Sequence, residues 1–483
     1  MNNVKIIRNR EIPPAPHVRV AIVGAGACGL TAAIRLRGLG IECVLLERDA
    51  VPRGSTALSS GLIPAAGTRL QKSLGIEDSA AAFAQDVQGK AHGDAPPHLV
   101  AAYTQAVAQA VDTLEHDHGI RFEVLDGFLY PGHHVRRMHA VPERTGAALM
   151  ACLERAATTA GADILTDALV RVLYVDAADR ILGLGYERRR AVPKGLAPQS
   201  AGRRYTSEPP DGTLEYLACD VLLLACNGFG GNPDMVREFL PAIRDATFAG
   251  HVGNDGSAIS WGRQLGARLA DMGAYQGHGS WAIPQGALMS WAVMVQGGIQ
   301  VNAAGQRFHD ETLGYSEAAV QVLNQPGGIA WNIFDAPLLA LARSFPDFVE
   351  AQNAGALKSA PDLASLAQLL GCDTAVLRTT LAAVLPGPVD RFGRVFTRAL
   401  DAPYYAVKVT GALFHTQGGL DIDAQCRVLR TDDTAFPNLL AAGGAARGVS
   451  GNAVWGYLSG NGLLSAVGGG WVAAGTISDQ LAP

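Results

Sequence analysis

The apolar and polar positions change rhythm along the chain, and the sharpest pattern comes first, in "RVAIVGAGACGLTAAIRLRGLGIECVLLERD". Val18 to Val23 is rich in β-branched residues and reads as a buried strand. Leu30 to Leu36 then carries alanines and leucines at helical spacing, and Gly38 or Gly40 ends that helix. Glu42 to Leu46 reads as a second strand, closed by Glu47. Further on, Arg144 to Val175 reads as helix, strand, strand. "CDVLLLACNGFGGN" is a buried strand running into a turn at Gly228, Gly230 and Gly231. Residues 188 to 212 are polar and basic with prolines, the composition of a hairpin tip or exposed loop. "LLSAVGGGWVAAG", near the end, reads as a buried helix.

The opening strand–helix–strand carries Gly24, Gly26 and Gly29 in GxGxxG spacing. Gly24 permits the tight turn, Gly26 lets a pyrophosphate approach the helix N-terminus, and Gly29 allows helix and strand to pack closely. Glu47 lies 23 positions after Gly24, where a carboxylate can hold both ribose hydroxyls. GxGxxG alone is a weak signal; two strands, the helix and the acid make it specific. The ligand at this point is NAD or FAD. The following stretch, Arg53 to Thr68 ("RGSTALSSGLIPAAGT"), is rich in small residues, as a flavin needs for its chain and ring to pass against backbone.

That stretch resembles the corresponding one in the fumarate reductase and succinate dehydrogenase flavoprotein family, which includes a ketosteroid dehydrogenase branch. The resemblance runs in order over nearly the whole chain. "GNDGSAISWGRQLGARLADMGA" resembles the family's glycine-flanked helix start, with Asn254 and Asp255 as caps. "GGIQVNAAGQRFHDE" resembles its hairpin, turning at Asn302 to Gly305, and "FPNLLAAGGAARGVSG" its last FAD strand and loop, Leu439 to Gly444. The implied α/β fold is a Rossmann-type FAD-binding domain, residues 1–275 with 405–483. An α+β cap, residues 276–404, is inserted into it, with the site between the two. The implied FAD contacts are Gly24, Ala25, Gly26 and Gly29, then Glu47 and Arg48. They continue through Ser55, Thr56, Ser60 and Gly61, Asn227 and Gly228, and Gly443 and Gly444, to Asn461 and Leu463. Covalently flavinylated members carry a histidine in the Arg53–Thr68 stretch; this chain has none there, so non-covalent FAD is expected.

The resemblance also narrows the chemistry. Reductases of the family bind dicarboxylates through arginines, which suit carboxylate geometry. At the three corresponding places this chain has Gly314–Tyr315, Pro337 to Leu339 (with Arg343 near), and Tyr457. Many reductases also have a glutamate where this chain has Gly444. Loss of those charges resembles the ketosteroid branch, particularly its Δ4-(5α) members. Tyr457 and Ser459 match that branch in register; Tyr315 matches with a one-residue offset. Desaturating a ketone at its α,β-bond needs a base for the α-proton, a hydride acceptor, and donors facing the carbonyl oxygen. Tyr457, with Ser459 and the 460–462 backbone, and Tyr315 are the expected proton-handling groups, the two roles unassigned between them. A tyrosine base needs a pKa well below the ordinary value of about 10. The alternative for each tyrosine is a core aromatic with a satisfied hydroxyl.

His415 in "FHTQGG" matches a family element near the flavin and is expected to donate to substrate; His278 is weighed equally between site and core. "GHHVRRMH", with His133, His134, His139, Arg136 and Arg137, lacks zinc spacing and reads as a polar loop. Trp281, Trp291 and Trp455 flank these motifs, as core or as pocket walls.

Composition sets the outer limits. The 483 residues suffice for one large domain or two, and 48% hydrophobic content is ample for a core. A net charge of −5 without a basic stripe argues against nucleic-acid binding. The first residues are polar, so no signal peptide is expected, and no apolar run is long enough to predict a membrane span. Seven cysteines without CxxC spacing fit a reducing cytoplasm and argue against haem, zinc or iron–sulfur. No metal is expected. The partners expected are a small carbonyl substrate and an external electron acceptor: oxygen, a quinone or a carrier. The reading is an FAD-dependent dehydrogenase placing a double bond next to a carbonyl, in a cyclic ketone. The alternatives are an ene-reductase running the reverse direction and a flavin-binding protein without turnover.

Overall fold

The computed structural model describes residues 4–126, 129–188 and 214–482. The expected hairpin tip or loop at 188–212 therefore lies outside the described residues, except for Arg188. The chain begins with strands β1 (Lys5–Arg8) and β2 (His17–Val23), helix α1 (Ala27–Gly38) and strand β3 (Cys43–Leu46). Helices α2 (Ala80–Lys90), α3 (Pro97–His116) and α4 (Gly146–Thr159) follow. Next come β4 (Asp163–Leu165), β5 (Ala168–Val175), β6 (Ile181–Arg188) and β7 (Leu214–Leu224). These strands form one sheet in the order β1–β5–β6–β7–β2–β3–β4. Strands β7, β2, β3 and β4 run parallel, each to the next, as a doubly wound α/β sheet requires.

Gly24 and Gly29 fix the geometry of the first turn. Gly24 has φ +105°, and a Cβ on it would lie 2.5 Å from the Ala225 carbonyl oxygen at the end of β7. A Cβ on Gly29 would lie 2.0 Å from the Gly24 carbonyl oxygen. The helix starts at Ala27, earlier than its apolar spacing suggests, because Ala27 and Cys28 are already buried behind Gly26.

The second sheet is antiparallel apart from the short parallel strand Thr247–Phe248. It contains β8 (Tyr275–Ala282), β9 (Ile299–Val301), β10 (Ile329–Asp335) and β11 (Tyr404–Thr416), ordered β8–β11–β10–β9. Helix α5 (Tyr315–Leu323) packs on it, and α6 (Pro346–Asn353) lies beyond β10 in the chain. Strand β12 (Ala435–Ala441) returns to the first sheet beside β7. Helix α7 (Gly469–Leu481) then packs on α1 and α3, as its apolar pattern suggests. Each sheet carries its own apolar core, and Tyr315 and Tyr457 both belong to that of the second. Among the described residues, no helix is long and apolar enough to cross a membrane.

Two local expectations need correction. The turn at Asn302 closes, with its N–H on the Gln306 carbonyl at 2.9 Å, but the return arm is not a strand. Side chains hold that arm instead. Buried Glu311 accepts from Arg307 at 2.9 and 2.7 Å, from Arg394 at 2.7 Å and from the Gln300 N–H at 3.0 Å. At the 257–265 helix the N-cap position is Gly256, and Asp255, one residue before it, accepts from the Ser257 N–H at 3.0 Å. Asn254 does not cap it; its amide donates to Ser55 Oγ at 2.8 Å.

Candidate active site

Parallel strands β2, β7 and β12 end side by side. Their following turns bring Gly24, Asn227 and Gly443–Gly444 to one edge, where ligands of such sheets bind. A single cavity of about 530 Å³ begins there and reaches Tyr315 and Tyr457.

At the sheet end the lining suits a dinucleotide. A Cβ on Gly26 would meet nothing within 4 Å, so the helix N-terminus is open for a pyrophosphate. The Glu47 carboxylate accepts N–H groups from Ala25 at 2.9 Å and Asp49 at 3.0 Å. Burial raises its pKa, and those two bonds pull the other way. A carboxylate has about four acceptor sites, so two remain for ribose hydroxyls. Arg48 Nη1 donates to the Gly253 carbonyl at 2.8 Å and to Asp255 at 3.0 Å. Its Nε and the Ser465 hydroxyl are buried without a partner, an arrangement that a polar ligand would complete. Ser55 Oγ accepts from Asn227 at 3.1 Å as well as from Asn254, which fixes the small-residue segment against the β7 turn. The residues present therefore fit FAD.

Twelve of the expected cofactor residues line this cavity: Gly24, Gly26, Glu47, Arg48, Ser55, Thr56, Ser60, Gly61, Asn227, Gly443, Gly444 and Leu463. Ala25, Gly29, Gly228 and Asn461 stand behind it. The Ala25 N–H is spent on Glu47, and Gly29 and Gly228 serve close packing. Asn461 starts a relay: its amide donates to Ser450 Oγ at 3.0 Å, and Ser450 donates to Gln417 Oε1 at 3.0 Å. The Gln417 amide in turn donates to His415 Nδ1 at 2.9 Å. His415 Nδ1 also lies 3.3 Å from the Thr416 carbonyl, but the shorter bond from Gln417 favours the tautomer with its proton on Nε2. Burial pushes its pKa down to about 4, so it is neutral at neutral pH.

The far end is aromatic. The rings of Tyr315 and Tyr457 meet edge to face at 6.1 Å; His415 meets Tyr457 edge to face at 5.6 Å, and His278 stacks on Tyr315 at 4.8 Å. His278 Nδ1 accepts the Ser280 N–H at 3.1 Å, which leaves the proton on Nε2, and burial lowers its pKa to about 3. Both tyrosines line the cavity, and both phenols are shifted upward, contrary to the low pKa expected of a tyrosine base. Burial is the first cause in each case. Tyr315 is raised to about 12, with bonds from the Ser459 and Tyr457 hydroxyls pulling it back. Tyr457 is raised well above 10, although the backbone amides of Gly462 and Gly460 favour its ionised form. The two phenols are bonded to each other, and burial keeps both protonated at neutral pH.

Several residues fall elsewhere than expected. Of the three tryptophans only Trp291 lines the cavity; Trp281 packs on Phe414, and Trp455 stacks on His92 at the surface. "GHHVRRMH" is not simply a polar loop. Arg137 is fully buried between Asp78 and Asp86, and His133 Nε2 donates to the Ser459 carbonyl at 2.9 Å. A buried ion pair thus supports the turn that carries Tyr457. Arg343 stays outside, donating to Gln352. Among the described residues, Arg48 and Arg144 are the arginines of the cavity lining, and Arg144 pairs with Glu123. Tyr130, Asp347 and Gln417 also line it but carry no local motif; only Gln417, two residues after His415, had a neighbour that could have drawn attention to it. Among the described residues no group of three or more His, Cys, Asp or Glu could hold a metal.

The FAD binding domain family model matches residues 19–463. A probable fumarate reductase, Ifc3, of Shewanella frigidimarina is 26% identical over 462 residues, covering 94% of this chain and 74% of the relative. The 4-oxocyclohexanecarboxylate 2-dehydrogenase of Sinomonas cyclohexanicum is 24% identical over 503 residues, covering 88% of this chain and 87% of the relative. The structure of 3-ketosteroid-Δ4-(5α)-dehydrogenase from Rhodococcus jostii RHA1, in complex with 4-androstene-3,17-dione, superimposes with a TM-score of 0.75. It is 22% identical, covers 98% of this chain and 100% of that one, and shows the shared fold.

Proposed function

The chain belongs to the FAD binding domain family and is an FAD-dependent oxidoreductase acting on CH–CH bonds; from that premise we propose that it desaturates a ketone at its α,β-bond, the substrate being cyclic. The observation that carries this reading is the Tyr315–Tyr457 pair, backed by Ser459 and the glycine amides, with no arginine joining it among the described residues. A dicarboxylate would lack its guanidinium partners there; a neutral carbonyl finds hydroxyl donors. A dehydrogenase of a cyclic ketone among the relatives supports the same class.

In this reading Gly26, Glu47, Arg48 and Asn227 would hold a non-covalent FAD, which would supply the acceptor for the hydride from the β-carbon, with an external acceptor for the electrons. Tyr315 takes the α-proton, the Ser459 and Tyr457 hydroxyls being placed to hold its phenolate oxygen. Tyr457 donates to the carbonyl oxygen as that oxygen gains enolate charge, with His415 Nε2–H beside it. Trp291, Tyr130 and Phe414 add apolar surface to this end. We place the FAD unit at 1–275 with 405–483 and the cap at 276–404, and strand β11 of the second sheet runs across the second boundary. The test is an anaerobic titration of purified holoenzyme with a panel of saturated ketones, followed by flavin absorbance. Bleaching by a cyclic ketone is the expected result. Reoxidation of prereduced flavin by fumarate, with silence toward every ketone, overturns the reading in favour of a reductase.

A further inference from the structure

The cavity also has a side wall next to the tyrosine pair. There Tyr130 neighbours both Tyr315 and Asp347, and Asp347, in the first turn of α6, is bonded to Ser60. Tyr130 is half-buried beside them: its phenol is pushed up by desolvation first, then by Tyr315 and Asp347. The lining around this stretch is apolar, with Leu288, Leu341 and Phe345. A carboxylate in such a wall is costly unless it is paired. Asp347 accepts one bond, from Ser60 Oγ at 2.8 Å, and among the described residues no Lys, Arg or His forms an ion pair with it. Ser60 is a weak partner for a carboxylate, and its hydroxyl can rotate away at little cost.

We propose that Asp347 is a substrate-recognition residue, accepting a hydrogen bond from a hydroxyl or ammonium group on the end of an elongated ketone remote from its carbonyl, in place of Ser60. The inference rests on the ketone reading of the tyrosine pair, which sets which end of the substrate lies where. The apolar stretch between takes the carbon skeleton. An anionic far end meets like charge at Asp347, so carboxylate-bearing ketones are disfavoured.

The test uses holoenzyme and three bicyclohexyl ketones that carry hydroxyl, hydrogen or carboxylate on the far ring. Binding is read from perturbation of the flavin spectrum, and turnover from anaerobic bleaching. The hydroxyl compound should bind better than the hydrogen compound by roughly 10- to 100-fold, the range for a hydrogen bond to a charged group, and the carboxylate worst. Asp347→Leu should collapse the hydroxyl-to-hydrogen ratio toward one and shrink the carboxylate penalty. Asp347→Asn, which keeps an acceptor, should retain part of the hydroxyl preference. An equal hydroxyl-to-hydrogen ratio in wild type and Asp347→Leu overturns the proposal, as does tightest binding by the carboxylate or binding by none. Binding in the expected order without bleaching fails the desaturation reading and leaves the recognition role standing. Bleaching with no preference does the reverse.

Discussion

The two ends of the cavity are built differently. The sheet end is made of backbone: an open helix N-terminus, a left-handed glycine and a carboxylate held by two N–H groups, all within residues 24 to 49. The aromatic end is made of side chains from distant segments: His278, Tyr315, His415 and Tyr457. A backbone site tolerates change where side chains do not reach it. A side-chain site depends on hydroxyls and ring nitrogens that single substitutions remove. On the proposed function, the first end is a general cofactor cradle and the second is where specificity would be set.

The largest expected effect tests that contrast directly. Tyr315→Phe keeps the ring and removes the proposed base, which should slow flavin reduction by ketone about 100- to 10,000-fold. Tyr457→Phe removes a carbonyl donor and should cost about 100- to 1000-fold. Rapid-mixing absorbance gives both rates, and both variants should bind FAD and melt near wild type. If either reduces its flavin at the wild-type rate, that tyrosine is a packing residue and the contrast fails at that position.

Glu311 comes next. It follows the expected hairpin in the chain, yet it is enclosed by Arg307 and Arg394 and its pKa is held down by those charges despite its burial. Glu311→Gln should cost about 3–5 kcal/mol of stability, the usual result of breaking a buried pair, read by denaturant titration. Flavin reduction per folded molecule should stay within a few-fold of wild type. A rate loss matching that of Tyr315→Phe would instead make Glu311 part of the chemistry and extend the aromatic end toward it.

The same contrast explains what the sequence could tell. The cofactor end was legible because its physics is local: a β-branched run, three glycines and an acid at fixed spacing determine the turn whatever else the chain does. Tyr457 and Tyr315 were legible as positions that had lost arginines, but not as a bonded pair, since 141 residues lie between them. Their upward pKa shifts were not legible at all, because desolvation is a property of the assembled cavity. The support under Ser459 was missed for a similar reason. A histidine and arginine cluster looks solvated in sequence until Asp78 and Asp86 arrive from elsewhere to bury it. The return arm after Asn302 failed as a strand because ion pairs, which have no period, replaced the backbone ladder.

A milder change probes the cofactor end. Since a Cβ on Gly26 meets no protein atom, Gly26→Ala should leave the apoprotein's melting temperature unchanged. The methyl group would intrude where the pyrophosphate approaches, weakening FAD by roughly 10- to 100-fold, if the strain resembles overpacking of about 1–3 kcal/mol. Fluorescence of released flavin on dilution measures it. Unchanged affinity would mean that the pyrophosphate lies elsewhere and that the open turn is not its cradle.

The smallest expected effect is a slope. His278 and His415 have folded pKa values of about 3 and about 4, below the unfolded value of about 6.5. Between those values and 6.5 the unfolded chain binds protons that the folded chain does not, so stability is fully present above 6.5 and falls as pH drops. Each histidine contributes a slope of up to about 1.4 kcal/mol per pH unit in that window. Glu47, Glu317 and Asp347 have raised folded pKa values, so their contribution runs the other way and is present only at low pH. Their effect begins near the unfolded carboxylate values of about 4 and extends upward, which blunts the loss at the acid end of the window. Stability measured by denaturant from pH 6.5 to 5.5 should therefore fall with acidification, and His278→Gln should remove roughly 1 kcal/mol of that fall. The glutamine amide can keep the bond from the Ser280 N–H, so packing is disturbed little. An identical slope in the variant would mean that His278 takes up its proton in the folded protein. It would then face the tyrosine pair as a cation, and the aromatic end would be an anion site after all.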